Sequence, residues 1–136
     1  MAPRPSGLFA LHRYYIWCNR MRTHFDEVLS QGMPAGKTEI ESFLYMSYWY
    51  GALYVVVEGW RELKLVDTAI DELLQSPNVD LLRRYRHGVF HFQSDYYDTR
   101  FLAFMQEGIG SVAWVRSLNL QFGHYFLSSL EAPKDV

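Results

Sequence analysis

Residues 43–57, Phe43-Leu44-Tyr45-Met46-Ser47-Tyr48-Trp49-Tyr50-Gly51-Ala52-Leu53-Tyr54-Val55-Val56-Val57, form the longest apolar stretch of the chain. The stretch shows no alternation of apolar and polar positions, and it is shorter than the roughly 20 residues that a membrane span requires. Glu58 and Arg61 follow it. It therefore predicts a helix that is apolar nearly all round and sits at the centre of a helical domain. Just upstream, Thr38-Glu39-Ile40-Glu41 has the form of a capping box. The Thr38 hydroxyl would accept from the Glu41 amide while the Glu41 carboxylate accepts from the Thr38 amide. The central helix is expected to run from Thr38 to about Lys64.

The flanking segments read as further helices. From Leu8 to about Leu29, Leu8, Leu11, Tyr15, Cys18, Phe25 and Leu29 recur in steps of three and four, one stripe of an amphipathic helix. Gln31 to Gly36 makes the loop after it. Val66 to Leu74 predicts a short helix with Ile70, Leu73 and Leu74 inward. Ser76-Pro77 starts another, with Ser76 as cap and Pro77 in the first turn. That helix is expected to continue as far as Gln93, after which Ser94 or Asp95 caps one reaching Met105. Gly108 and Gly110 interrupt, and Val112 to Leu130 is the last helix, with Val115, Leu118, Phe122, Tyr125 and Leu130 facing inward. No strand pattern and no internal repeat is present. The chain is all-α, a single bundle of about four or five helices over residues 8–130. Residues 1–7 are expected to be a disordered lead, and 131–136 a frayed tail.

Composition narrows the function classes. The 136 residues suit one domain, 49% are hydrophobic, and 17% are aromatic, more rings than a simple bundle core needs. The aromatic surplus points to a self-association or ligand surface. Net charge is −2 with histidine neutral, so nucleic acid, if bound, must be met by a local basic patch. A single cysteine, Cys18, forbids an intrachain disulfide and, lying on the first apolar stripe, reads as a buried small hydrophobe. The two prolines among the first seven residues argue against a signal peptide. A cytoplasmic protein without a membrane anchor is the expectation.

The chemistry-bearing segment is Arg86-His87-Gly88-Val89-Phe90-His91, preceded by Arg83-Arg84-Tyr85. Histidine can move protons near neutral pH, and arginine is always charged and grips phosphate oxygens bidentately. On a continuous helix Arg86 and His91 would lie about 140° apart and flank one cleft, and His87 and His91 would be neighbours on one face. This segment resembles the R-x4-6-H signature of the HEPN superfamily (higher eukaryotes and prokaryotes nucleotide-binding domains), late in a bundle and after a long apolar helix. The architectural likeness spans about Thr38 to Leu130; the motif covers Arg86 to His91.

The resemblance implies a metal-independent RNA endonuclease, a toxin or defence effector, whose active site forms where two copies of the motif meet in a homodimer. His91 would be the general acid or base, Arg86 would stabilise the pentavalent phosphate and His87 would assist, leaving a 2′,3′-cyclic phosphate. Neither metal nor cofactor is implied, and the partners are RNA and, as for some family toxins, an antitoxin protein. Glu58 is the best match to a supporting polar residue late in the long helix. In some of these toxins a tyrosine two residues past the motif histidine is modified by the antitoxin. Gln93 stands there instead, which puts that mode of control in doubt, although Tyr96 and Tyr97 lie nearby.

Other readings stand beside these. The alternative function is a non-catalytic HEPN module that binds nucleotide, RNA or a partner protein; a third is a purely structural dimerisation domain. Arg83 and Arg84 are RNA-backbone contacts or a solvated rim. Tyr85, Phe90 and Phe92 are core or dimer packing, or base-stacking platforms. His87, His91 and Asp95, at i, i+4 and i+8, could offer zinc ligands on one helix face. His12, His24 and His124 read as structural. No nucleophile elbow and no phosphate-binding glycine loop is present.

Overall fold

The computed structural model describes residues 7–31, 37–107 and 110–130, with side chains at 37, 38 and 105–107 left out. The expected lead before Gly7, the loop from Gly32 to Gly36, Gly108, the tail from Glu131 and the Thr38 side chain of the expected capping box lie outside the described residues. Within them the chain is all-α. Six helices follow one another: α1 (Leu8–Gln31), α2 (Lys37–Glu62), α3 (Thr68–Leu73), α4 (Asn78–Phe90), α5 (Thr99–Glu107) and α6 (Ser111–Leu130). The count exceeds the expected four or five, although each of the six corresponds to a segment that the sequence marks as helical. No helix among the described residues is long and apolar enough to cross a membrane.

The second half of α2 is the centre of the molecule. Trp49, Tyr50, Leu53, Tyr54, Val56, Val57 and Trp60 are all buried. Burial on every side means that neighbours must come from every side. Helix α1 runs antiparallel to α2: Leu11 packs at Gly59, the Cys18 thiol points at the Trp49 carbonyl, and His24 stacks on Tyr45. Helix α6 runs antiparallel to α1, pairing Arg116 with Asp26, Asn119 with Asn19 and Phe126 with His12. On the other side, α4 is antiparallel to α2, with Arg86 at Glu58 and Phe90 at Gly51 and Tyr48. Helix α5 folds back along α4.

Two expectations about faces fail. Leu29 is 53% exposed, and Val28 is buried in its place. A stripe that drifts by one residue over seven turns is the ordinary consequence of 3.6 residues per turn. The first half of α2 is not covered all round either: Ile40, Phe43, Leu44 and Tyr48 are exposed, because α4 and α5 reach only its inner side.

Helix ends follow local chemistry. Helix α2 stops at a Schellman turn, with the Lys64 amide donating to Arg61 and the Leu65 amide to Trp60, and Lys64 takes φ 54°. The short helix starts at Thr68, not Val66, because the Asp67 carboxylate caps the Ile70 amide, leaving Val66 exposed. Ser76 accepts from the Asn78 amide through its hydroxyl, and the helix proper begins after Pro77. The next helix is capped by Asp98, whose carboxylate takes the Arg100 amide, and not by Ser94 or Asp95. Asp95 accepts from the Tyr97 amide in the preceding loop instead.

One buried polar cluster ties three helices together. Asn119 Oδ1 accepts from the Trp49 indole N–H at 3.0 Å and from the Cys18 thiol at 3.5 Å, and its Nδ2 donates to Asn19 at 3.0 Å. Burial pushes the Cys18 thiol pKa well up, so it is an inert, protonated donor here. Replacing Asn119 by Ala strands the Trp49 N–H and costs about 1–3 kcal/mol in urea denaturation. Trp49→Phe is expected to cost less in the Asn119→Ala background than in the wild type, since the stranded donor goes with the indole. Lys64→Gly relieves the left-handed backbone and is expected to stabilise the fold by about 0.5–1 kcal/mol in the same assay.

Candidate functional site

The candidate site is built where α4 ends. Val79, Leu82 and Tyr85 of this helix face the core, and the Tyr85 hydroxyl is 3.0 Å from the Ser47 hydroxyl across α2. Burial raises the Tyr85 pKa to about 12, although the Ser47 hydrogen bond pulls the other way, so the phenol stays protonated. With Tyr85 in the core, Arg83, Arg86 and His87 are carried to the flank and outer face by helical geometry.

Arg86 is held on two sides. Its Nη2 donates to Glu58 Oε2 at 3.2 Å, and its guanidinium carbon lies 5.4 Å from the centre of the Tyr54 ring. Its Nε is sealed from solvent with no hydrogen-bond partner among the described residues. Glu58 and Arg86, 28 positions apart, are thus brought together, and the carboxylate fixes the direction of the guanidinium.

The helix does not continue to Gln93. It ends at Phe90, and His91 has extended backbone with φ −123° and ψ 127°. The cause is tertiary. Gly88 packs against Arg100 and Phe101 of α5, where an added Cβ would lie 3.2 Å from both. The chain must reverse to place α5 there. The reversal is pinned by a relay: Arg100 Nη1 donates to Gln93 Oε1 at 3.0 Å, and Gln93 Nε2 donates to the His91 carbonyl at 2.9 Å. Asp98 holds Arg100 at 3.2 Å from below.

Despite the break, His87 and His91 meet. Their rings stack with centroids 4.4 Å apart and planes 23° from parallel. The expected 140° relation of Arg86 to His91 on one helix is therefore replaced by a turned-back histidine lying on its neighbour. The His87 pKa is lowered. Loss of hydration against the neighbouring groups comes first, then repulsion by His91, Arg100, Arg86 and Arg83. That set of charges defines the site: two histidines and three arginines at the end of α4.

The remaining sequence candidates divide. Arg83 joins the site but is paired with Asp80 at 2.7 Å on the exposed surface. Such a pair is weak, about 0–1 kcal/mol, so an anion can displace it. Arg84 does not join: it lies about 200° round the helix from Arg86 and exerts no resolved effect on His87. Asp95 sits in the loop, so it shares no helix face with the two histidines. No group of three or more His, Cys, Asp or Glu among the described residues is arranged to hold a metal ion. Phe92 is 93% exposed and packs no core, whereas Tyr85 is fully buried. Of the other histidines, His12 packs on Phe126, His24 on Tyr45, and His124 is exposed on α6.

Arg100 carries no motif signal in the sequence as a site residue, and Gln93 figures there only as the residue standing where a modified tyrosine would be. Neither stands at a motif spacing from Arg86. The only available signal was a second arginine just beyond the loop, at the start of the next helix. Compared with known protein families, with curated proteins and with solved structures, the chain matches none.

The titration of His87 follows from the geometry. His87 is expected to titrate below the ordinary histidine value of about 6.5, followed by NMR of its ring protons. His91→Ala and Arg100→Gln should each move that midpoint upward. Because the folded-state pKa is the lower one, the neutral ring favours the fold above about pH 6.5, and this contribution is lost as pH falls through the folded value. An unmoved midpoint in both variants would show that the charges named do not reach His87.

Proposed function

We propose that this chain is a HEPN-like, metal-independent RNA endonuclease that acts as a homodimer, with a toxin or defence role and an antitoxin protein as its natural restraint. The observation that carries the reading is the stacked His87–His91 pair set among Arg83, Arg86 and Arg100. In internal RNA cleavage the 2′-hydroxyl gives up its proton and attacks phosphorus. The bond to the 5′-oxygen then breaks as that oxygen takes a proton, leaving a 2′,3′-cyclic phosphate. A neutral histidine can accept the first proton, and a histidine that carries a proton can supply the other. Surrounding arginines favour the neutral imidazole in the free protein and offset the growing charge on the phosphorane.

His91 is assigned the general acid–base role, His87 assists, and Arg86, aimed by Glu58, stabilises the phosphorane. Arg83 contacts the RNA backbone. A homodimer is supported by the uncovered half of α2. Ile40, Leu44 and Tyr48 recur every four residues and all are exposed, with Phe43 beside them, and Tyr48 meets the exposed Phe90 edge-on at 5.9 Å. This apolar surface adjoins the histidine pair, and contiguous exposed apolar surface marks an association site.

The test is incubation of total RNA with the purified protein in excess EDTA. Cleavage leaving cyclic phosphate ends is expected, with a loss of roughly 10²-fold or more in His91→Ala. Leu44→Glu should yield a monomer by light scattering and lose cleavage with it. Intact RNA with a folded, dimeric wild type would turn the reading to the non-catalytic binding module.

A further inference from the structure

A second polar cluster, sharing no residue with the histidine pair, lines a cavity of about 440 Å³ between α1 and α6. Its floor is Asn119, 3% exposed, with Asn19 and the two arginines Arg22 and Arg116 around it. Both guanidiniums are tied to one carboxylate: Arg22 Nη1 lies 2.8 Å and Arg116 Nη2 2.7 Å from Asp26. Arg22 Nε also donates to Asn19 Oδ1 at 2.8 Å. The hydrogen bond from Arg116 and the charges of both arginines lower the Asp26 pKa, so the three groups carry two positive charges and one negative at neutral pH.

The cluster has more donors than acceptors. Asn119 Oδ1 is taken by the Trp49 N–H and the Cys18 thiol, and Asn19 Oδ1 by Arg22 and Asn119. The Tyr15 hydroxyl, Asn19 Nδ2, Arg22 Nη2 and Arg116 Nε have no acceptor among the described residues, and all four residues line the cavity. Tyr15 reaches it because position 123 is glycine: a Cβ there would lie 2.5 Å from the Tyr15 hydroxyl oxygen. On the outer side Leu120 and Leu127 are 54% and 64% exposed and flank Gly123 on one face of α6. They stand roughly 10 Å apart along the axis, at about 1.5 Å per residue.

We infer that this cavity is a binding site for a small aliphatic carboxylate. Its head accepts from the Tyr15 hydroxyl and the Arg22 and Arg116 guanidiniums, and its chain lies along Leu120, Gly123 and Leu127. One net positive charge is matched by a monoanion; a phosphate monoester, closer to a dianion at pH 7, would overcharge it. The cavity volume suits a ligand of this size. The site goes beyond the nuclease reading and does not depend on it.

The experiment titrates octanoate into the intact ¹⁵N-labelled protein and follows the Trp49 indole N–H, whose acceptor, Asn119, is the cavity floor. A saturable shift is expected with octanoate. Binding should be about tenfold or more weaker with octylammonium, which reverses the charge, and with acetate, which lacks the chain. Octanol, without the charge, should be weakened similarly. Leu120→Glu, on the exposed lip, should weaken octanoate about tenfold while leaving the spectrum otherwise native, and Arg116→Gln should do the same. No shift with octanoate in the folded wild type, equal binding of octanol and octanoate, or unchanged binding in Leu120→Glu would overturn the assignment.

Discussion

Everything in this molecule is arranged to cover the second half of α2. Trp49, Leu53, Val56, Val57 and Trp60 are buried on every side of that helix, so the chain must wrap it with α1, α4 and α6. At roughly 25 cal/mol per Å² of apolar area, the large side chains on α2 are the main driving term. The rings also set local geometry: Trp60 meets Tyr125 edge-on at 4.7 Å, and its N–H finds Asp71 at 3.0 Å, which anchors α3. Close packing is bought with glycine at two contacts, Gly59 under Leu11 and Gly51 under Phe90, where a side chain would collide.

The same constraint creates both polar sites. Once α4 lies against α2 through Tyr85 and Phe90, Arg86 and His87 fall on the flank and outer face. Arg86 is then within reach of Glu58, the first charge after the apolar run. On the opposite side, α1 and α6 approach closely enough to bury Asn119, and the hydrogen bonds of a buried amide have to be met there. Asn19, Trp49 and Cys18 meet them, and the arginines around Asp26 close the rim. The two sites lie on opposite flanks of one core helix, and each backs onto a buried residue, Tyr85 for one and Asn119 for the other.

The end of α4 shows how tertiary packing overrides a local pattern. The sequence from Pro77 to Gln93 contains nothing that forces a stop before Phe92. Gly88 alone permits the close approach of Phe101, and the Arg100–Gln93–His91 relay holds the reversed chain. His91 thereby leaves the helix and lies on His87. There His91 is one of the groups whose charge holds the His87 pKa down.

Much of this was legible in the sequence. Apolar periodicity and length sufficed for an all-α chain, for the central helix, for the buried Cys18 and for the order of the elements, because burying a stripe or a whole helix is a local demand that composition expresses directly. Arg86, His87 and His91 could be singled out by the chemistry of their side chains and by the family resemblance, and Glu58 by the resemblance alone. Only the tertiary structure decided where α4 ends, which half of α2 stays uncovered, that Arg100 joins the histidines while Arg84 does not, and that Asn19, Arg22, Arg116 and Tyr15 share a cavity. Those outcomes depend on contacts between residues far apart in the chain, and no periodicity along one helix carries information about the face of another.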